Sequence, residues 1–296
     1  MDQALWQRVR CIGFDDERYI AGTACSLGST LTASHKQFTI QNRVQRSIMQ
    51  IIALISGKGG VGKTSITVNL ATALAQRRKR VLLIDLDPQN AQRLHLGMDP
   101  EEIAGLVREG ISPESIFDSP FGVKFIPFGR VNESELEDFE RELKHYPEWV
   151  VDGIATLDLN AFDYVILDTP PGPTVFLQQA LTAAQRAMIV VLADAASYAT
   201  IPKMTSLVEQ YTAERSDFSG THLLINQMPT QSRLGHQVRS ALFASYAEKL
   251  VPVAIHKDPR VSQALAFERP VLEYEPGCKA SLDIQYLADW VLDSSS

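Results

Sequence analysis

The hydrophobic pattern changes character at residue 50. From there, short apolar runs alternate with amphipathic stretches. QIIALIS at 50–56, RVLLIDLD at 80–87, FDYVILDTP at 162–170, AMIVVLA at 187–193 and THLLINQ at 221–227 are almost continuously apolar and end in turn residues. That is the signature of strands buried on both faces. Helices are predicted between and beyond them, near 62–77, 174–184, 197–212, 233–248, 259–267 and 278–292. In the first, Ile66, Leu70, Ala73 and Leu74 share one face. Strands alternating with helices predict an α/β fold with a mostly parallel central sheet and helices on both faces, joined by right-handed crossovers.

The stretch 99–160 is less regular. DPEEIAGLVREG reads as a helix and VKFIPFG as a short strand. ESELEDFERELKHYPEWV reads as an acidic helix broken near Pro147, its charges forming a solvated face. At the C-terminal end, Leu282, Tyr286, Trp290 and Val291 read as a core-facing stripe. Residues 1–48 show no sustained period, and Gly28, Ser29, Thr30, Thr32 and Ser34 read as loop. Met49 stands directly before the first strand. The expected organisation is therefore an extension over 1–48, poorly ordered or an over-extended start, and one domain over 49–296; a partner-docking segment is the alternative for 1–48.

Composition narrows the class. The 296 residues are 45% apolar and 21% charged, ordinary for a globular chain and unlike a disordered, collagenous or coiled-coil one. No run of eighteen apolar residues is present, so the pattern predicts no membrane-spanning helix. The charged N-terminus does not read as a secretory signal, and the three cysteines, Cys11, Cys25 and Cys278, suit a reducing cytoplasm. A net charge of −7 weighs against nucleic acid as the main partner, since such binding rests on phosphate neutralisation by Lys and Arg.

The chemistry is concentrated at strand ends. GKGGVGKTS, residues 57–65, fits G-x-x-x-x-G-K-[ST] between a buried strand and a helix. Gly57, Gly59, Gly60 and Gly62, with Val61 between them, let backbone N–H groups approach phosphate oxygens, and the helix points its positive end at the same place. Lys63 is placed to reach the β- and γ-phosphates, and the hydroxyl of Thr64, beside Ser65, to ligate Mg²⁺. DLDPQ puts Asp85 and Asp87 at the end of the second strand, where ligands of open parallel sheets bind. Asp85 is placed to hold a magnesium-bound water and Asp87 to orient or deprotonate the attacking water. VILDTPPG supplies Asp168 as a second anchor for Mg²⁺ through water, and Gly172 as an N–H donor to the γ-phosphate. Asn226, with a donor and an acceptor on one amide, suits an adenine edge.

An ordinary loop of this kind does not need Lys58. With it, Lys58 through Thr64 match K-G-G-x-G-K-[ST], and the chain resembles the deviant Walker A ATPases of the MinD and ParA type. The resemblance implies an ATP-sandwich homodimer in which Lys58 reaches the nucleotide of the other subunit. It also implies ATP and Mg²⁺ as cofactors, slow hydrolysis without a partner, and a base-lining segment to which Pro252, His256 and Asp258 contribute. No cysteine set or basic C-terminal helix of the iron-protein, arsenite-pump or MinD membrane-anchor kind is present. DPQNAQRLHLGMDPEE, FIPFGRV and VPVAIHKDPRVSQALAFERPVLEY further resemble the accessory ATPases of bacterial cellulose biosynthesis. That group implies a role in assembling or placing the inner-membrane cellulose synthase complex at the cytoplasmic face or cell pole, with membrane association through partners. A DNA-segregation ATPase, a MinD-like positioning ATPase and a nucleotide-bound, non-hydrolysing scaffold share the nucleotide motifs and are the alternatives.

Overall fold

The computed structural model describes residues 49–99 and 101–294; the expected extension over 1–48 lies outside them. The strands are β1 (Gln50–Ile55), β2 (Val81–Asp85), β3 (Phe117–Asp118), β4 (Lys124–Ile126), β5 (Tyr164–Asp168), β6 (Arg186–Leu192) and β7 (Gly220–Asn226). They form one sheet in the order β3-β4-β2-β5-β1-β6-β7, parallel except for the edge pair β3 and β4. The register places Leu54 beside Asp168, Asp85 beside Asp168, and Leu192 beside Asn226. The carboxyl ends of β1, β2, β5, β6 and β7 therefore open on one edge, where the candidate chemistry lies.

Alternate side chains of each strand go to opposite faces. Ile51, Ala53 and Ile55 of β1 face one apolar cluster, together with Val165 and Leu167 of β5. Ile52, Leu54, Ile166 and Met188 face the other. The first face is covered by α4 (Glu133–His145), α5 (Trp149–Ala155), α6 (Val175–Ala183), α7 (Ala195–Thr212) and α8 (Arg233–Tyr246). The second carries α1 (Lys63–Gln76), α9 (Pro259–Ala266), α10 (Val271–Tyr274) and α11 (Lys279–Asp293). Between β2 and β4 lie the single turns α2 (Gln92–His95) and α3 (Leu106–Glu109).

Helix α1 is buried more completely than a one-sided stripe predicts. Every residue from Ile66 to Leu74 is buried, because α1 is clamped between the sheet and α10–α11. Its polar groups are satisfied internally: the Thr67 and Thr72 hydroxyls donate to Lys63 O and Val68 O. Asn69 donates through Nδ2 to Ser65 O and accepts through Oδ1 from Val271 N, both at 2.8 Å.

Two expectations are corrected. DPEEIAGLVREG is helical only over Leu106–Glu109. The Glu102 carboxylate accepts from the amides of Ile103 and Ala104, at 2.8 and 2.9 Å, and Gly105 runs backbone against backbone past Gly129. A Cβ on Gly105 would lie 2.4 Å from Gly129 N, so the chain there is a close crossing and not a helix. On α11 the buried face is Ala280, Ile284, Leu287, Ala288 and Val291, while Leu282 and Tyr286 are 46% and 64% exposed. The small residues carry the phase, and size was the wrong guide. Trp290 is half-buried, edge-on to His222 and beneath the Arg186 guanidinium.

The acidic α4 follows expectation: Phe139 and Leu143 are buried and its carboxylates face outward. Phe139 meets Phe128 and Trp149 edge-on and Phe176 at a tilt, and Phe128 meets Phe176 edge-on, under α5 and α6. Among the described residues no helix is long and apolar enough to cross a membrane. Truncating the fully buried Phe176 to Ala should lower the unfolding free energy by about 3–5 kcal/mol in urea titrations. Leu282→Ala and Tyr286→Ala should stay within about 0.5 kcal/mol of the parent chain.

Candidate nucleotide site

The loop between β1 and α1 is shaped by glycines with positive φ. Gly60 sits at φ 74° and Gly62, the N-cap of α1, at φ 82°. Gly62 also leaves no room for a side chain: a Cβ would stand 2.5 Å from Asn226 Nδ2. Gly57 is pressed against α7, where a Cβ would meet Thr200 at 2.5 Å. Gly59 and Gly60 are exposed, Val61 is buried as an anchor, and Thr64 and Ser65 are half-buried in the first turn of α1. The result is a concave run of backbone at a helix N-terminus, suited to an anion.

Behind it is a buried charge cluster. Lys63 Nζ lies 3.3 Å from Asp168 Oδ1, with the two side chains 6% and 0% exposed. The Thr67 hydroxyl lies 3.4 Å from the same oxygen. Asp168 Oδ2 is buried with no hydrogen-bond partner among the described residues. Asp85, in register beside it, is fully buried, and its oxygens accept from Asp87 N at 3.0 Å and Gln92 N at 3.2 Å. Asp85 is thus a staple for the loop after β2 as well as a neighbour of Asp168. Burial, then the charge of Asp168, pushes its carboxyl well above the usual range. Burial also raises Asp87, against the pull of Gln89 N and Lys63.

The unpartnered Asp168 oxygen, the Asp85–Asp168 pair and the Thr64 hydroxyl fit a hydrated Mg²⁺, a cation that keeps waters and takes one or two carboxylates plus phosphate oxygens. No group of three or more His, Cys, Asp or Glu among the described residues is gathered to hold an ion alone.

The rim departs from simple expectation in informative ways. Lys58 is half-exposed and its Nζ pairs with Asp194 Oδ2 at 3.0 Å. Asp194 is the N-cap of α7 and also accepts from Ser197 N. Gly172 donates its N–H to Ser56 O at 2.8 Å, so the amide expected to face phosphate ties two loops together. Asn226 donates through Nδ2 to Val61 O at 2.7 Å, bracing the glycine loop, and also lines the adjoining cavity. Gln227 braces Gly60 O in the same way.

That cavity, about 490 Å³, runs from Gly62 and Ser65 to Asn226, His256 and Asp258. Pro252, expected at the base-lining segment, is exposed and is not among the residues around it. Asp194, Thr67 and Asp283 are site residues that motif reading passed over. An acid directly after an apolar strand and before a helix was the available signal for Asp194.

The comparisons with known proteins give a family and a fold. The model of the family described as "Cellulose biosynthesis protein BcsQ" matches residues 49–292. The cellulose biosynthesis protein BcsQ of Salmonella typhi is 25% identical over 254 residues, 82% of this chain and 94% of its own. The chromosome-partitioning ATPase Soj of Thermus thermophilus is 28% identical over 250 residues, 83% of this chain and 97% of its own. The septum site-determining protein MinD of Pyrococcus horikoshii, solved with Mg-ADP, superposes with a TM-score of 0.68 at 23% identity. That match covers 82% of this chain and 96% of MinD. The fold is thus that of the MinD/ParA P-loop ATPases.

His95, on the turn α2, is buried, and desolvation lowers it to about 4 against the raising field of Asp168. The unfolded chain takes up this proton from about pH 6.5 downward and the folded chain does not. Its contribution is complete above that value and lost as pH falls toward 4. Replacing His95 with Leu should flatten the acid side of the melting-temperature profile between those limits; an unchanged profile would show that His95 is not buried neutral.

Proposed function

The chain belongs to the family of the cellulose biosynthesis protein BcsQ, and we propose that it acts there as an ATP-dependent dimerising switch. The observation that carries this reading is the juxtaposition of the K-G-G-V-G-K-T backbone cradle, Lys58 to Thr64, with the unpartnered Asp168 oxygen behind it. The Mg-ADP of the structurally similar MinD supports ATP with Mg²⁺ as the ligand pair.

In this reading the N–H groups of residues 59–65 cradle the phosphates. Lys63 leaves Asp168 to neutralise the β,γ end. Thr64 offers its hydroxyl to the metal, and Asp168 and Asp85 hold metal-bound water. Bound Mg²⁺ supplies charge neutralisation on the phosphates. Asp87, whose raised carboxyl is poised to accept a proton, orients the attacking water. Lys58 exchanges Asp194 for the nucleotide of a second copy, so the triphosphate gains contacts only the dimer supplies. Such differential affinity is what moves a population. Loss of the terminal phosphate frees the segments around Asp87 and Gly172.

The assembled dimer would act on the cellulose synthase complex, in its assembly or polar placement, from the cytoplasmic face of the inner membrane and through partners. Residues 49–296 would carry the ATPase, with 1–48 dispensable for nucleotide binding.

A second reading, DNA segregation, is favoured by the comparable identity to Soj, while the net charge of −7 speaks against it. A salt-sensitive DNA mobility shift requiring ATP would select that reading.

Light scattering on a sizing column should show the mass doubling with ATP and Mg²⁺. Lys58→Ala should bind nucleotide yet remain single. Asp87→Ala should dimerise while releasing phosphate about a hundredfold more slowly. Equal masses with and without ATP would refute the switch, and normal dimerisation of Lys58→Ala would refute its role across the interface.

A further inference from the structure

The segment that follows β2 is wound tightly about the Asp85 carboxylate. Asp87 N donates to Asp85 Oδ1 at 3.0 Å and Gln92 N to Asp85 Oδ2 at 3.2 Å. Between them, Gln89 N donates to Asp87 Oδ1 at 3.0 Å and Asn90 N to Asp87 O at 2.8 Å, with Asn90 in the left-handed region at φ 50°. These bonds bring Gln92, the first residue of the turn α2, against the carboxylate.

The Gln92 side chain is 0% exposed, and neither its Oε1 nor its Nε2 has a hydrogen-bond partner among the described residues. A buried amide left unpaired destabilises the fold, and a leucine of similar bulk would fill the space without that loss. Packing therefore gives no reason for a glutamine at this position. Asp168 Oδ2, in the strand beside Asp85, is unpartnered as well. Both ends of the Gln92 amide are unpaired, so an acceptor is available whichever way the amide is turned. His95, three residues on and so on the same side of the turn, is also buried and feels the charge of Asp168. The buried side of α2 thus lies within electrostatic reach of the carboxylate pair. Mg²⁺ keeps several of its waters, and such a water, its oxygen turned to the metal, donates to acceptors of this kind.

Resting on the nucleotide and metal reading above, we propose that Gln92 is a positioning residue of the metal site: its carboxamide oxygen accepts from a water of the hydrated Mg²⁺ held at Asp85 and Asp168, while its backbone N–H fixes Asp85. Gln92 acts through that water and through Asp85, and touches neither metal nor nucleotide. The unpaired amide is a loss carried by the free chain and relieved in the metal-bound one.

The test separates metal from nucleotide. ATP is titrated calorimetrically into the full chain with Mg²⁺ and again with EDTA, and the ratio of the two affinities reads the coupling to the metal. The melting temperature of the nucleotide-free chain is measured alongside. Gln92→Leu should bind ATP in EDTA as the wild type does and lose about tenfold of the coupling. It should also melt about 2–4 °C higher, because the unpaired amide is gone. Gln92→Met, unbranched and also apolar, should show the same loss of coupling where leucine does not fit the space. A glutamine with a purely structural role would move the melting temperature and leave the coupling unchanged. Wild-type coupling in either folded variant would overturn the positioning role and leave the nucleotide reading intact. A lower melting temperature or failure to fold in both variants would show that the amide serves packing, and would overturn the role in the same way. Equal affinity of the wild-type chain for ATP with and without Mg²⁺ would overturn the metal reading and this role with it. No uptake of ATP by folded wild-type chain in either condition would overturn the nucleotide reading too.

Discussion

The structure is organised around a buried carboxylate that requires a buried counter-charge. Asp168 ends a central strand with 0% of its side chain exposed, next to Asp85 in register. Two adjacent carboxylates without counter-charge would be expelled or protonated. Lys63 supplies the charge from the first residue of α1, which ties the position of that helix to the strand ends. The glycine loop is the connection that lets the lysine arrive there, turning the chain within a few residues. The clamping of α1 by α10 and α11 keeps its N-terminus directed at the cluster.

Much of this was legible in the chain. Apolar runs ending in Asp85, Asp168 and Asn226 mark strands whose carboxyl ends share an edge, because parallel sheets align those ends by construction. The loop 57–65 identifies itself by spacing. What escaped was of two kinds. Long-range partners such as Asp194 for Lys58 and Asp283 for His256 lie 136 and 27 residues away, and no local period reports them. Phase errors arose where small residues carry the burial, as Ala280 and Ala288 do on α11. The one-turn α3 failed for a further reason: Gly105 is required by a crossing with Gly129, which no window around residue 105 reveals.

Fold and specialisation separate cleanly here. The fold is what the chain shares with MinD/ParA ATPases in general. The identities to a cellulose protein and to a partitioning ATPase are 25% and 28%, so the degree of similarity does not choose between those roles. Fold-level likeness alone does not choose between them.

The walls of the cavity come from distant parts of the chain: Gly62 and Ser65 from near its first strand, His256 and Ile284 from near its last helix. Asn69 stitches the same two regions together through Val271 N. During synthesis, therefore, the loop that would grip a ligand emerges long before the walls that complete its enclosure. A ribosome-bound intermediate possesses the motif without possessing the receptor. A chain stopped before its last helix would carry the glycine loop without the wall that Ile284 supplies.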